Sequence, residues 1–262
     1  MAEVYETAPR RRRRGRGVLI ILVILLVIVL GVAFVVDRFG RSFAEGVISD
    51  KVAGQIRAQK ASSDTPDVTI EGFPFVTQVL DGHYQEIHIE VPHLTAPVDK
   101  TRKINLALLD IHAQDVKASL DTLRNGSGDV VVGTVTGVST IDYPQLVELI
   151  GQKGVKLSAK DGKLIGAATV TALGQQVDLT GAAKLTVVDG GIRVRFSDVR
   201  ATNLPNVPLI QNLIDAQAQR MSLDLAVPKL PLQLRVQSVA AGDDGLKVQF
   251  GAQNVNLNAG GL

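Results

Sequence analysis

The sequence contains no cysteine and no tryptophan, and it has only four histidines and three tyrosines. Without cysteine the chain cannot form disulfides, thiol nucleophiles, cysteine-ligated zinc sites or iron–sulfur clusters. A chain of 262 residues does not need disulfides, because it buries most of its unfolded surface in ordinary hydrophobic cores. Any chemistry would therefore depend on a small number of side chains.

The main part of the chain also lacks an excess of positive charge. Residues 1–17 carry six arginines and two glutamates, a net charge of +4, whereas the rest carries 22 basic and 24 acidic residues, a net charge of −2. The sequence pI of about 8.9 is thus a property of the N-terminal tail. A nucleic-acid-binding domain needs a basic stripe on its folded surface, so we expect no nucleic-acid partner.

The histidines do not show the spacing of a metal site. His83, His88 and His93 are five residues apart, so on a strand His88 points away from the other two. Ten residues of strand separate His83 from His93 by roughly 30 Å or more. His112 lies elsewhere in the sequence, and no His-Glu-x-x-His pattern is present. We therefore predict no metal site.

Catalytic motifs are equally scarce. Ser139 stands in a segment that lacks the second glycine of a nucleophile elbow and continues a strand rather than opening a helix. Glycine-rich phosphate-binding motifs are missing as well. Glu86 and Glu90 lie on the wet face of a predicted strand, where glutamates are ordinary surface charges. We predict no catalytic residues and no cofactor, and a protein that is not an enzyme.

Charged residues are absent from Val18 to Val36, a run of nineteen residues. A helix of this length spans about 30 Å, the thickness of the hydrocarbon core of a bilayer. Arginines at positions 10–14 and 16 precede the run, and arginine is retained on the cytoplasmic side. The sequence predicts a cytoplasmic tail at 1–17, a single-pass transmembrane anchor at 18–36 and an extracytoplasmic remainder in the cell envelope.

A cleaved signal peptide is the alternative interpretation of this run. Signal peptides have a shorter apolar core, about 7–15 residues, which is followed closely by a small-x-small cleavage site. The nearest candidate site, at residues 42–44, lies beyond Asp37, Arg38 and Arg41. A retained anchor is therefore favoured, and both interpretations place the rest of the chain outside the cytoplasm.

The exported part begins with a predicted juxtamembrane helix at 37–60, in which apolar residues recur every four or five positions. Turn-forming residues at 61–66 end this helix. From Val68 onward the apolar period is two, as in Ile87, Ile89 and Val91. Further strands are predicted at 104–108, 129–141, 155–160, 163–172, 177–188, 192–201, 232–239 and 246–257.

Two helices interrupt the predicted strands. Asp142 and Gln145 form a candidate capping box, and Gly151 is a typical end for the helix that follows. The second helix begins near Asn206 and carries one apolar stripe, which includes Ile210, Leu213 and Ile214. The pattern predicts an α+β fold with an N-terminal transmembrane helix and a curved, mostly antiparallel sheet wrapped around or packed on two to three helices.

The middle strands are rich in glycine and alanine, for example at Gly166–Thr169 and Gly181–Ala183. Small side chains allow a sheet to bend and leave space on its inner face. We therefore expect an elongated apolar cavity beside the second helix. A tightly packed sandwich would use the same residues, and the sequence does not separate the two arrangements.

An apolar segment precedes the turn at Asp81-Gly82. Phe73 and Phe75 flank a proline, and Val79 and Leu80 follow within one further turn of helix. The segment can be a short helix that faces the core. It can also be a lip that contacts lipid, because an apolar turn near a membrane anchor is well placed to meet acyl chains.

The segment from Glu71 to Ile87, EGFPFVTQVLDGHYQEI, resembles the actinobacterial LmeA-like phospholipid-binding family. Its most specific part is Gly-Phe-Pro-Phe with the downstream Gly-x-Tyr, and the layout agrees from about Phe39 to Leu257. The resemblance implies a fold related to tubular lipid-binding proteins, in which a curved antiparallel sheet wraps a long helix around an apolar groove. It also implies binding of phosphatidylinositol-type phospholipids and a role in maintaining lipomannan-type glycolipids. It supplies no catalytic residues.

These observations predict a membrane-anchored lipid-binding or lipid-transport protein whose functional domain is 61–262, with phospholipid and the membrane as its partners. A non-catalytic scaffold or assembly subunit of the envelope is the alternative. The predicted lipid-binding residues are Phe73, Phe75, Val79, Leu80, Ile210, Leu213 and Ile214.

Overall fold

The computed structural model describes residues 14–125, 128–152, 154–172, 175–202, 208–227 and 230–258. It contains a long N-terminal helix followed by two antiparallel sheets, neither of which closes into a barrel. The α+β prediction is confirmed, with two sheets where the sequence was interpreted as one. The helices are α1 (Arg14–Ala58), α2 (Phe75–Asp81), α3 (Leu120–Asn125), α4 (Tyr143–Ile150) and α5 (Pro208–Met221).

The strands follow the predicted period of two over most of the chain. Each sheet consists entirely of antiparallel pairs, and the first sheet has the order β1-β2-β3-β4-β11-β10 while the second has the order β5-β6-β7-β8-β9. The strands are β1 (Asp67–Glu71), β2 (His83–Pro97), β3 (Lys103–Lys117), β4 (Asp129–Asp142), β5 (Val155–Lys160), β6 (Lys163–Ala172), β7 (Gln175–Val188), β8 (Gly191–Thr202), β9 (Leu223–Leu225), β10 (Arg235–Ala241) and β11 (Gly245–Asn258).

Helix α1 is continuous through the predicted boundary between anchor and juxtamembrane helix. The side chains from Val23 to Val36 are exposed, although they are almost all apolar. In the part of the chain that the structure describes, α1 is the helix long and apolar enough to cross a membrane. Its C-terminal end is different, because Val52 and Ile56 are buried in the core against the first sheet.

One hydrophobic core joins the two sheets. Residues of the first sheet, such as Ile111 and Leu246, belong to the same buried cluster as Leu164 and Phe196 of the second sheet. Gly166 on β6 allows this packing, since a Cβ atom there would lie 2.4 Å from the Phe196 ring and 2.8 Å from the Met221 methyl group. The space beside this glycine is therefore occupied by larger neighbours.

Several local predictions hold at the level of single residues. Asp161 and Gly162 both have positive φ angles, 51° and 71°, as the tight β5–β6 hairpin requires. Asp142 caps α4 by accepting a hydrogen bond from the Gln145 backbone N–H at 2.8 Å, and Gly151 ends α4 with a φ of 71°. The reciprocal half of the capping box is not formed, because Gln145 Oε1 is buried without a hydrogen-bond partner among the described residues.

The last hairpin differs from its prediction at one end. The strand predicted from Leu232 begins at Arg235 instead. Leu232 and Gln233 both have a φ of 55° and form a 3-10 turn after Pro231. This backbone conformation cannot join an antiparallel ladder, so the alternating apolar pattern at 232–234 belongs to a turn that is buried in the core.

Candidate functional site

Two apolar clefts lie end to end along α1 and share Val47. The lower cleft adjoins the apolar half of the helix and has a volume of about 360 Å³. The upper cleft lies between α1 and the inner face of the first sheet and has a volume of about 90 Å³. The lower cleft is lined by Val36, Gly40, Phe43, Ala44, Val47, Phe75, Val76, Val79, Leu80 and Leu120. The upper cleft is lined by Val47, Ile48, Lys51, Val52, Ile70, Tyr84, Ile87, Ile89, Ala113, Val116, Ala118, Thr122, Val130, Val132 and Leu232.

We call the two clefts together the α1 groove. It exists because one stripe of α1, formed by Val36, Gly40, Ala44 and Val47, faces α2 with small or short side chains. A Cβ atom on Gly40 would lie 3.4 Å from the Phe75 ring, so a larger residue here would fill the lower cleft. The stripe begins inside the exposed apolar run of α1, and the groove therefore starts at the end of that run.

The structure brings three of the four predicted lip residues together. Phe75, Val79 and Leu80 all line the lower cleft, because α2 places them on the side that faces α1. Phe75 is 4% exposed, and its ring centroid lies 6.3 Å from that of Tyr84. Phe73 precedes α2 and is 70% exposed. The two phenylalanines therefore have different environments, one in the cleft wall and one in solvent.

Apolar side chains are exposed around the lower cleft. Phe39 and Phe43 were predicted as part of the recurring apolar positions of the juxtamembrane helix, yet they are 74% and 70% exposed. Leu80, at 77% exposed, lies on the opposite wall. Together with Phe73 these residues form what we call the apolar rim. Exposed apolar residues grouped in this way mark a surface that meets lipid or another protein.

Of the three predicted residues on α5, the structure describes the side chain of Ile214. Ile214 is buried against Val177 and Leu179 on the second sheet. The side chains of Ile210 and Leu213 lie outside the described residues. The expected cavity beside this helix and the assignment of these three residues to lipid binding stay predictions.

A polar stripe on α1 fixes the helix to the domain. Asp37 Oδ1 accepts a hydrogen bond from the Val76 backbone N–H at 2.9 Å and so caps α2, which starts after Pro74 and has no cap of its own. Arg41 donates to the Gly72 carbonyl at 2.7 Å and contacts Asp37 Oδ2 at 3.3 Å.

Two further contacts extend this polar stripe at four-residue intervals. Glu45 Oε1 accepts from the Ile70 N–H at 3.0 Å, and Ser49 donates to the Pro66 carbonyl at 2.5 Å. Residues four apart share one face of a helix, so the stripe is a continuous seam between α1 and the segment 66–76. The seam holds the two walls of the lower cleft at a fixed separation.

Tyr84 is a residue of the upper cleft that the site predictions did not include. Its side chain is 1% exposed, and its hydroxyl has no hydrogen-bond partner among the described residues. Burial raises the pKa of Tyr84 to about 12, so the hydroxyl stays protonated at physiological pH and can donate a hydrogen bond. The Gly-x-Tyr sequence, Gly82 to Tyr84, was the signal that pointed to it.

The chemistry of the α1 groove suits an apolar ligand with a polar end. Lys51 is the charged residue among those that line it, and Thr122 supplies a hydroxyl that is 2.9 Å from the hydroxyl of Ser119. The lining residues include no nucleophile beside a general base. The groove can therefore hold hydrocarbon and contact one anionic group.

The comparisons with known proteins agree with this description. A family model described as LmeA-like phospholipid-binding matches residues 39–251, which is most of the chain and includes the whole of the α1 groove beyond Val36. Searches of curated proteins and of solved structures give no match.

Proposed function

Because the chain belongs to the LmeA-like phospholipid-binding family, we propose that it is a membrane-anchored extracytoplasmic protein that binds phospholipid in the α1 groove. One observation carries this proposal: Val36 is both the last residue of the uncharged run and a lining residue of the lower cleft. A lipid can therefore pass between the outer leaflet and the groove without its acyl chains crossing water.

The anchor supports the same arrangement. Helix α1 exposes apolar side chains from Val23 to Val36, and such a surface is stable when it is surrounded by lipid. The arginines at 10–14 and 16 favour a cytoplasmic N-terminus. The polar stripe begins with Asp37, directly after the apolar run. This position supports a domain held close to the outer surface of the membrane.

The apolar rim then lies at the level of the bilayer surface. Phe39 and Phe43 follow the apolar run within two helical turns, Leu80 lines the lower cleft with Phe43, and Phe73 precedes the cleft residue Phe75 by two positions. Aromatic and aliphatic side chains at this depth insert among lipid headgroups and acyl chains. We propose that the rim contacts the outer leaflet and that the lower cleft is the place where acyl chains enter.

Retention of the lipid follows from the apolar lining. Each buried methylene contributes about 0.8 kcal/mol, so even part of one acyl chain gives substantial affinity. The Tyr84 hydroxyl can donate a hydrogen bond to an ester carbonyl of the lipid. Lys51 can contact a phosphate as a point charge, which favours anionic phospholipids such as the phosphatidylinositol type.

A role in the maintenance of cell-envelope lipid or of lipomannan-type glycolipid is consistent with such a ligand. The family resemblance implies this role. The proposal places the protein at the outer leaflet, where it holds or moves the lipid and performs no covalent step on it.

Lipid extraction tests the proposal directly. The full chain is purified in detergent, and its bound lipids are identified and counted by mass spectrometry. We expect phospholipid to copurify with the wild type and the amount to fall severalfold in Val47→Phe, because Val47 lines both clefts and a larger side chain blocks their junction. Val131→Phe is the matched control, since Val131 is 37% exposed and lies between two cleft residues on β4.

The choice of lipid is tested with vesicles. The purified chain is incubated with vesicles that contain phosphatidylinositol or phosphatidylethanolamine, and the lipid that it removes is measured. We expect a preference for phosphatidylinositol that decreases in Lys51→Met. A wild type that retains no lipid of any class would instead favour the scaffold or assembly role.

A further inference from the structure

The structure joins two histidines that are far apart in the sequence. His88 on β2 is directly opposite His112 on β3, and their rings stack with centroids 4.3 Å apart. Both face outward, away from the α1 groove, because the residues on either side of His88 are the cleft residues Ile87 and Ile89. The sequence-based expectation of no metal site set His112 aside because it lies elsewhere in the sequence, and so it did not pair His112 with His88.

Asp110 completes a group of three possible ligands. Its Oδ1 atom is 2.8 Å from His88 Nε2 and 3.3 Å from His112 Nε2. The three ligand atoms all lie within 4.8 Å of one another. Around a tetrahedral Zn²⁺ ion with bonds of about 2.0–2.2 Å, neighbouring ligand atoms are about 3.3 Å apart. The ligand atoms are therefore close enough to share one ion once the two stacked rings tilt toward it.

A carboxylate on the far side of His112 strengthens this arrangement. His112 Nδ1 is 2.6 Å from Glu86 Oε1, which leaves Nε2 directed at Asp110. Metal-bound histidines commonly donate their second ring N–H to a carboxylate, and this contact fixes the tautomer and orients the ring. Gln114 Nε2 in turn donates to Glu86 Oε2 at 3.3 Å. The outer contacts of a metal ligand are thus already formed.

We propose that His88, Asp110 and His112 bind a divalent transition metal ion, with Zn²⁺ as the best fit. Two imidazole nitrogens and one carboxylate oxygen suit Zn²⁺, whereas Mg²⁺ and Ca²⁺ prefer ligand sets made only of oxygen. Water or Glu90, whose Oε1 is 3.9 Å from His88 Nε2, completes the coordination. The bound ion clamps β2 to β3 on the back of the sheet that forms the wall of the upper cleft.

Zinc titration of the full chain in detergent micelles tests this site. We expect one saturable Zn²⁺ per chain by calorimetry, and a higher melting temperature with Zn²⁺ than with Mg²⁺. His88→Ala and His112→Ala should each weaken binding at least tenfold. Glu86→Gln should weaken it about 10–100-fold, as expected for a group that orients a ligand. The His83→Ala/His93→Ala double variant is the control and should bind like the wild type.

Nuclear magnetic resonance of the wild type provides a second measurement that needs no variant to fold. Zn²⁺ should shift the Nε2 signals of His88 and His112 and leave those of His83 and His93 unchanged. The proposal is overturned if the wild type shows no saturable Zn²⁺ binding, if the His88 and His112 variants bind as tightly as the control, or if all four histidines shift alike.

Discussion

Phe73 and Phe75 are two residues apart, yet the structure gives them opposite environments. Phe75 is buried against Tyr84 in the wall of the lower cleft, while Phe73 is exposed at the apolar rim. The sequence offered a core role and a membrane role for the pair as a unit. The structure divides these roles between the two residues, because Pro74 turns the chain between Phe73 and the first residue of α2.

Single substitutions at the two positions should therefore affect different properties, stability at Phe75 and vesicle binding at Phe73. Phe75→Ala removes a buried ring and should reduce the free energy of unfolding by about 3–5 kcal/mol. Phe73→Ala should change it by no more than about 0.5 kcal/mol but should lower binding to phospholipid vesicles. Urea unfolding followed by circular dichroism measures the first effect, and vesicle flotation measures the second. Equal destabilisation by both substitutions would contradict this division.

Tyr84 should make the protein sensitive to alkaline pH. Its pKa is raised to about 12 in the folded state, whereas an unfolded tyrosine titrates near 10. Between pH 10 and 12 the folded chain keeps the Tyr84 proton that the unfolded chain has lost. The contribution of this residue to the free energy of unfolding is therefore complete below pH 10 and decreases as the pH rises. Tyr84→Phe should lose stability less steeply than the wild type in urea unfolding between pH 10 and 11.5. Parallel slopes would show that Tyr84 does not hold its proton more tightly in the folded state.

At the scale of elements, α1 also supports the folded domain. Its polar stripe, Asp37, Arg41, Glu45 and Ser49, bonds to the backbone of the segment 66–76. Backbone groups that would otherwise lack partners are satisfied by side chains from a distant element. The helix therefore serves as one wall of the α1 groove and as the support of the other.

Asp37→Ala should test this support. Loss of an N-cap costs about 0.5–2 kcal/mol, and Arg41 would also lose its ionic partner. We expect the free energy of unfolding to fall by at least this amount and the copurified lipid to decrease, because α2 would separate from α1. Asp50→Ala is the matched control, since Asp50 is exposed on the same helix. An equal fall in the free energy of unfolding of both variants would mean that the effect comes from the change in net charge and not from the lost cap of α2.

Two glycines should respond to alanine in opposite directions. Gly166→Ala would place a methyl group 2.4 Å from the Phe196 ring, so we expect destabilisation of about 1–3 kcal/mol. Gly54 lies within α1 and has no atom within 4 Å of the added Cβ. Gly54→Ala should therefore stabilise the helix by up to about 1 kcal/mol. Thermal unfolding of both variants checks the signs, and a stable Gly166→Ala variant would show that the Phe196 and Met221 side chains can shift to make room.

At the scale of the whole molecule, the groove and the apolar run share one helix. The proposed position of the domain against the outer leaflet depends on this continuity and on the orientation of α1. A chain inserted in the opposite direction would place the α1 groove in the cytoplasm. Topology is therefore the property on which the proposed function depends most directly.

A reporter fused after Leu262 should be active only on the outer side of the membrane. Replacement of the arginines at 10–14 and 16 by neutral residues should give a mixture of orientations, because these charges are the asymmetric signal around the apolar run. Protease accessibility of intact and opened cells provides the measurement. Unchanged orientation after the replacement would show that the folded domain determines topology.

Local features of this chain could be predicted from the sequence because each depends on residues that are close together along it. The apolar run, the alternating strands, the Asp161-Gly162 turn and the Asp142 cap are all of this kind. Their causes are helix length, the period of the side chains and the φ angles of single residues. Where a local pattern failed, as at Leu232, a backbone turn had the same apolar pattern as a strand.

Contacts between distant elements were decided only by the tertiary structure. The two apolar clefts along α1 depend on how α1 packs against α2 and the first sheet, and Phe196 and Met221 fill the space beside Gly166. His88 meets His112 because the register of β2 and β3 sets them opposite each other. Period and spacing determine which face a side chain takes on its own element. Which element covers that face depends on how the helices and sheets pack, since every candidate partner has an apolar face of its own.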